Sequence, residues 1–167
     1  MAVTTVLIRI VTDSGLIGYG EAKAPVVPSA TREIVVGLLR EVLYGCDPRD
    51  VAVHWDRLFG QMWLRGHRSG FLLEAIAGVD IALWDLIGRR VGEPISRLLG
   101  GAYRNAVPVY ASGVPGLTSD DRDTHRIEES VATLAEMGYV GVKLGLGHGV
   151  ALDVQTARAA SPGYRLI

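Results

Sequence analysis

Aliphatic and β-branched residues run through residues 5–12 (TVLIRIVT) and resume at 16–20 (LIGYG), with Asp13-Ser14-Gly15 between them. Two such runs around a polar, glycine-containing break predict an antiparallel hairpin. A two-stranded hairpin is marginal alone and needs a third strand or a helical cover. The spacing then becomes helical. From Ser29 to Leu43, apolar residues stand at 34, 35, 38, 39, 42 and 43, which predicts a helix capped by Ser29. Asp47-Pro48 reads as the next helix start, with Val51, Trp55, Leu58 and Met62 on its buried face. The strongest pattern follows Ser69, read as a cap: Leu72, Ala75, Ile76, Val79, Ala82, Leu83 and Leu86 repeat every three or four residues, and Gly88 and Gly92 close the helix. PISRLLGG (94–101) is a short helical turn ending on glycines.

After Gly101 the rhythm changes. Residues 106–113 (AVPVYASG) predict a strand, 122–137 a helix with Ile127, Val131 and Leu134 inward, 140–144 (VGVKL) a strand, 150–160 a helix, and 164–167 (YRLI) a third strand. Strands alternating with helices of this length predict βαβ units and a parallel sheet. The expected organisation is a hairpin-and-helix region followed, after Gly101, by the start of a parallel α/β sheet. A parallel sheet is covered on both faces, and two and a half units do not achieve that. The sequence is therefore expected to stop in mid-domain. No repeat, low-complexity tract or linker is visible.

Charge narrows the partners. The 17 basic and 18 acidic residues leave a net charge of −1, and the basic ones are scattered, which argues against nucleic acid or an anionic membrane as the main partner. The single cysteine, Cys46, excludes an internal disulfide and fits a reducing compartment; it reads as a small, half-buried residue ahead of the Asp47-Pro48 turn. The first residues lack a targeting core, and the long apolar stretches are broken by Glu74, Asp80 and Asp85. A cytoplasmic location is expected.

Among candidate chemistry, GLGHG (145–149) is a degenerate relative of the dinucleotide fingerprint. Its third glycine is misplaced and no acidic residue follows about twenty positions on, so a βα loop over a pocket is the better reading. Lys143 is the sharper signal. Residues 141, 143 and 145 share one face of their strand, and in a barrel that face points inward. Lys143 then stands at the C-terminal strand end, where barrel enzymes place their chemistry. Shielded from water there, it suits a base or a carboxylate-binding cation. A lysine reaching for solvent from a strand end is the plain alternative.

The remaining polar residues carry weaker signals. Glu21, just past the hairpin, reads as a structural pairing residue. Asp80 and Asp85 read as packing or capping partners, and Trp84 as a domain-contact anchor. His54, His67, His125 and His148 lack metal-ligand spacing; His148, in the βα loop, is a candidate substrate contact. The basic loop RGHRSG (65–70) reads as a solvated turn that could meet an acidic ligand.

The stretch AIAGVDIALWDLIGRRVGEPISRLLGG (75–101) resembles the signature of the mandelate racemase and muconate lactonizing enzyme branch of the enolase superfamily: Ala-x-small-small-aliphatic-Asp-x-Ala-Leu-x-Asp, then Gly-Lys/Arg, then Pro-aliphatic-x-x-Leu-Leu-Gly. TDSGLIGYGEA (12–22) is similar to that family's first hairpin, VYASG (109–113) to its first barrel strand and GYVGVKLGLG (138–147) to its second. The resemblance implies an α+β N-terminal capping domain over 1–104 that lacks its first strand, followed over 105–167 by the first units of an incomplete α/β barrel, a fold that takes about 250 residues when whole. It implies Mg²⁺-dependent abstraction of the proton α to a carboxylate, leading to dehydration, racemisation or cycloisomerisation of a small-molecule acid such as a sugar acid. It also implies a homo-oligomer when full-length. The family's metal-binding carboxylates belong to later strands, so no residue here is carried over as a Mg²⁺ ligand.

The family's second-strand motif is Lys-x-Lys, and this sequence reads Lys143-Leu144-Gly145. Lys143 matches the first lysine, a carboxylate contact, and could substitute as base. The usual base position is Gly145, which takes no proton. An acid-sugar dehydratase follows more readily than a racemase or cycloisomerase. The rival of another class is a truncated, non-catalytic protein without a metal site.

Overall fold

The computed structural model describes residues 4–114, 125–144, 150–160 and 165–166. Two compact units divide the chain, Met1–Ala102 and Tyr103–Ile167.

The first unit begins with the hairpin. Strands β1 (Thr5–Val11) and β2 (Ile17–Lys23) pair antiparallel, from Thr5 opposite Lys23 to Val11 opposite Ile17. At the turn the Thr12 N–H donates to the Leu16 carbonyl (3.0 Å) and the Gly15 N–H to that of Thr12 (3.0 Å), with Gly15 left-handed at φ 82°. The second strand extends three residues past the expected Gly20, which places Glu21 within it, on its exposed face.

A helix covers the other face. Helix α4 (Phe71–Val91) lies so close to β2 that a Cβ on Gly20 would stand 2.0 Å from the Gly78 carbonyl oxygen, and one on Gly18 2.2 Å from that of Ala82. From the helix side, a Cβ on Gly78 would meet Ile8 Cδ1 at 2.6 Å and Ala22 Cβ at 2.7 Å. The small residues of AIAGVDIAL thus let a helix backbone rest on a strand backbone. Ile8, Ala22, Ala75, Ile76, Val79, Ala82 and Leu83 are all buried around that contact.

Asp85 fastens the far end of this contact. Its Oδ2 accepts the Tyr19 N–H (2.8 Å) and Arg89 Nε–H (2.7 Å), and the Arg89 guanidinium lies 5.5 Å from the Tyr19 ring centroid. Burial pushes the carboxyl up, but the bonds from Arg89 and from Tyr19 N–H, with the arginine's charge, outweigh it and leave Asp85 below its ordinary value. A depressed carboxylate stabilises the fold above its unfolded pKa of about 3.9 and loses that contribution as pH falls through the lower folded value. Asp85→Asn is expected to lower stability at neutral pH by about 1 kcal/mol. Urea melts at neutral pH and at pH 2–3 check this: the difference from wild type should shrink in acid.

The helices between hairpin and α4 depart from the expected pattern in three places. The predicted 29–43 helix is α1 (Pro28–Ile34), a π-helical turn (Val35–Leu39) and α2 (Arg40–Leu43). It starts on Pro28, whose fixed φ suits the first helical position, so Ser29 lies inside the first turn and caps nothing. Helix α3 (Val51–Gly60) starts later than Pro48, because the Asp47 carboxylate is taken by the Arg49 N–H (2.9 Å) and guanidinium (2.5–2.9 Å). The side-chain bond from Arg49, then its backbone N–H, hold the Asp47 carboxyl at about 2.

On α3 the buried residues are Val51, His54 and Leu58, while Trp55 is exposed and stacks with Phe59, which in turn meets Trp63 (centroids 5.0 Å apart in each pair). His54 Nε2 donates to the Asp47 carbonyl (2.6 Å), and this bond gives a buried histidine a place the apolar pattern did not assign. Helix α4 is entered through Gly70 (φ 64°, ψ −141°), a conformation reserved for glycine, so Ser69 is not the cap. Gly88 lies inside the helix and Gly92 alone, left-handed at φ 71°, ends it. The short α5 (Ile95–Leu98) follows.

In the second unit, β3 (Ala111–Val114), β4 (Gly141–Leu144) and β5 (Arg165–Leu166) form a parallel sheet in the order β3-β4-β5. Helices α6 (His125–Glu136) and α7 (Val150–Ala160) supply Ile127, Val131 and Ala157, which bury Val142 of β4, with Ala111 and Leu134 alongside. The first strand is shorter than 106–113. Pro108 has no N–H for a ladder, and among the described residues a bond from the Val140 N–H to the Val109 carbonyl (3.0 Å) links the segments before Ala111.

Candidate functional site

Lys143 sits on β4 next to Val142, which is fully buried by α6 and α7. Neighbouring side chains on a strand point to opposite faces, so Lys143 faces away from the helices. Ser112 is its register partner on β3, and paired residues of adjacent strands share a face. Both are exposed. The register thus places Ser112 beside Lys143 on the face away from α6 and α7, near the C-terminal ends of two parallel strands.

Lys143 is exposed, and among the described residues no hydrogen bond or ion pair engages it, which leaves its three donors for a ligand. Ser112 was missed in the sequence. The signal that finds it is the strand register, which a sequence of two short strands does not fix. Gly145, His148 and the glycine run 145–149 lie outside the described residues.

The other candidates disperse. Glu21 is exposed opposite Leu7 and makes no ion pair among the described residues, contrary to its expected pairing. Asp80 is half-buried and unpaired among the described residues, so it is not the capping partner expected; burial pushes its carboxyl up. Trp84 packs against its own unit's core. The loop 65–70 turns through left-handed Gly66, and the Arg68 guanidinium lies 3.9 Å from the Trp63 ring centroid, a cation–π contact that occupies that arginine. No group of three or more His, Cys, Asp or Glu side chains among the described residues is placed to hold a metal ion, and no described helix is long and apolar enough to cross a membrane.

The sequence profile of the mandelate racemase / muconate lactonizing enzyme N-terminal domain matches residues 1–100. The chain belongs to this family. A D-galactarolactone cycloisomerase of Agrobacterium fabrum is 37% identical over 166 residues, 97% of this chain and 43% of its own length. An arabinonate dehydratase of Saccharolobus solfataricus is 33% identical over 139 residues, 83% of this chain and 36% of its own.

The family resemblance extends to three dimensions. A mandelate racemase/muconate lactonizing protein from Paracoccus denitrificans, solved in complex with magnesium, superposes with a TM-score of 0.82 at 28% identity, covering 97% of this chain and 46% of that one. The chain therefore spans less than half the length of these relatives. Its first unit is the α+β capping domain of the enolase superfamily, and its second carries part of the barrel that follows. The close-packed Gly78 and Ala82 and the clasping Asp85 all fall in the 75–85 stretch that carries the family signature.

Proposed function

We propose that this chain contributes to a Mg²⁺-dependent enzyme that removes the proton α to the carboxylate of a sugar acid and eliminates water, with Lys143 as the substrate-facing cation. The observation that carries this reading is the placement of Lys143 and Ser112, side by side and unengaged, on the face opposite α6 and α7. An ammonium next to a hydroxyl can hold a carboxylate by a charge-assisted bond and a second, neutral one. Magnesium, as Lewis acid, would supply the charge that stabilises the enediolate. No group of described residues is placed to hold it, so its carboxylates must be others.

In the elimination, the α C–H bond breaks, its electron pair forms the α,β double bond and the β-hydroxyl leaves with a proton as water. The enol so formed becomes a 2-keto-3-deoxy acid. Only one face of the α-carbon needs a proton carrier in that sequence, whereas racemisation needs two. Gly145, at the position where the family's second lysine acts as base, favours the one-faced reaction. Cycloisomerisation is the second reading, favoured by the 37% identity to the galactarolactone enzyme. The lone Cys46 fits a metabolic enzyme of a reducing compartment such as the cytoplasm. The whole protein is expected to be a homo-oligomer.

Gly145→Lys is expected to add α-proton exchange from the second face, read as solvent deuterium in recovered substrate and as the α-epimer. An unchanged exchange rate in Gly145→Lys would sink the one-faced reading.

A further inference from the structure

We propose that His54 is an acid-sensitive latch: its neutral ring ties the turn between α2 and α3 to the core, and a proton on the ring releases that turn. His54 is 2% exposed and stands in the first turn of α3. Its Nε2 lies 2.6 Å from the Asp47 carbonyl oxygen. A carbonyl only accepts, so Nε2 carries the hydrogen. Nδ1 is also shut off from solvent and has no hydrogen-bond partner among the described residues. In the neutral ring it is a bare lone pair. In a charged ring it becomes a second N–H, and a buried cation with an unmet donor costs far more than a neutral ring. Because Nδ1 is already enclosed, no outside acceptor reaches it without the turn opening.

The neighbouring charges do not offset that cost. The backbone N–H groups at the start of α3 disfavour a cation in its first turn. In the turn itself Asp47 is paired with Arg49, and the charge of Arg90 on α4 also reaches that carboxylate. Asp50 is exposed, as are Asp56 and Arg57 on α3. On the other elements packed against α3, Arg40 and Glu41 of α2 and Arg65 of the Trp63–Arg65 turn are exposed. On α4, Asp85 is bound to Tyr19 and Arg89, while half-buried Glu74 and Asp80 make no hydrogen bond to the ring.

Proton counting gives the sign. Below about pH 6.5 an unfolded histidine binds a proton that the latched ring does not, so stability falls as pH falls. From pH 7.5 to 5.5 the unfolding constant rises about tenfold on this account. Asp47, held at about 2, and Asp85, held below its ordinary value, stay charged throughout that range. Burial raises the Asp80 carboxyl, and protonation there acts in the opposite direction.

The test is tryptophan-detected urea unfolding of the full chain at pH 7.5 and 5.5. All three tryptophans, Trp55, Trp63 and Trp84, lie in the Met1–Ala102 unit, so the signal follows that unit. Wild type should show the tenfold rise in unfolding constant. His54→Gln keeps an N–H donor for the Asp47 carbonyl but cannot be charged, and should lose that tenfold difference whatever its absolute stability. Ring ¹⁵N NMR of the folded wild type should show the hydrogen on Nε2, and a ring still neutral at pH 5.5. Equal pH dependence in wild type and His54→Gln would overturn the proposal. So would a folded wild-type ring that is charged at pH 5.5, or one that carries its hydrogen on Nδ1. Should His54→Gln fail to fold, the wild-type ring signals decide alone: neutral at pH 5.5 supports the latch, charged contradicts it.

Discussion

Gly20→Ala is expected to destabilise the Met1–Ala102 unit by about 3 kcal/mol or more, the upper end of the cost of overpacking. The new methyl would stand 2.0 Å from the Gly78 carbonyl oxygen and 2.7 Å from the Ala82 nitrogen. Both are backbone atoms of α4, so no side-chain rotation relieves the clash. The helix must lift from the hairpin, and lifting it uncovers Ile8, Ala22 and Ala82, which that contact buries. For a unit of this size the loss corresponds to a fall in melting temperature of roughly 12–24 °C.

Gly60→Ala provides the opposite sign. A Cβ there meets no atom within 4 Å, and the residue closes α3 with helical backbone. It should gain about 0.5–1 kcal/mol through the lower entropy of the unfolded chain. Thermal and urea melts of the two variants check the pair, and equal melting of Gly20→Ala and wild type would contradict the helix-on-strand contact.

The second large effect is on chemistry alone. Lys143→Ala should lower turnover by about 10²–10⁴-fold, the range that one positioned proton-transfer group contributes. Stability should hardly change, because the side chain is exposed and makes no bond to the described residues. Lys143→Arg separates the two roles open to the residue. A guanidinium still holds a carboxylate, so a carboxylate contact would retain much of the activity, with KM affected more than kcat. Arginine does not accept a proton, so a substitute base would be lost as fully as in Lys143→Ala.

Much of the architecture was legible from periodicity. The hairpin, α4 and the β/α alternation after Gly101 follow from spacing, because each buries a face whose residues recur at the element's own period. What spacing could not convey was contact between elements. Gly18 and Gly20 lie in the predicted strand 16–20, and their spacing does not reveal that a helix backbone rests on them. Ser29 and Ser69 looked like caps, yet Pro28 and the special dihedrals of Gly70 set those helix starts. Trp55 lost its predicted burial to His54, whose bond to the Asp47 carbonyl outweighs its polarity.

The site divides the same way. Lys143 could be picked from its strand-end position, and its face follows from the burial of Val142. Ser112 required the β3–β4 register. Asp85 was legible as a partner but not for what it binds, since the Tyr19 N–H lies 66 positions away in the chain. Shielding of Lys143 depends on whatever covers that sheet face, which local sequence does not encode.

The most direct measurement follows sugar acids by NMR in D₂O, with Mg²⁺ and the native gene product, comparing wild type with Lys143→Ala. The account predicts a 2-keto-3-deoxy acid as product, no α-epimer in the remaining substrate, and loss of product formation in Lys143→Ala with an unchanged melting temperature. Epimer without elimination product, or full activity in Lys143→Ala, would contradict it.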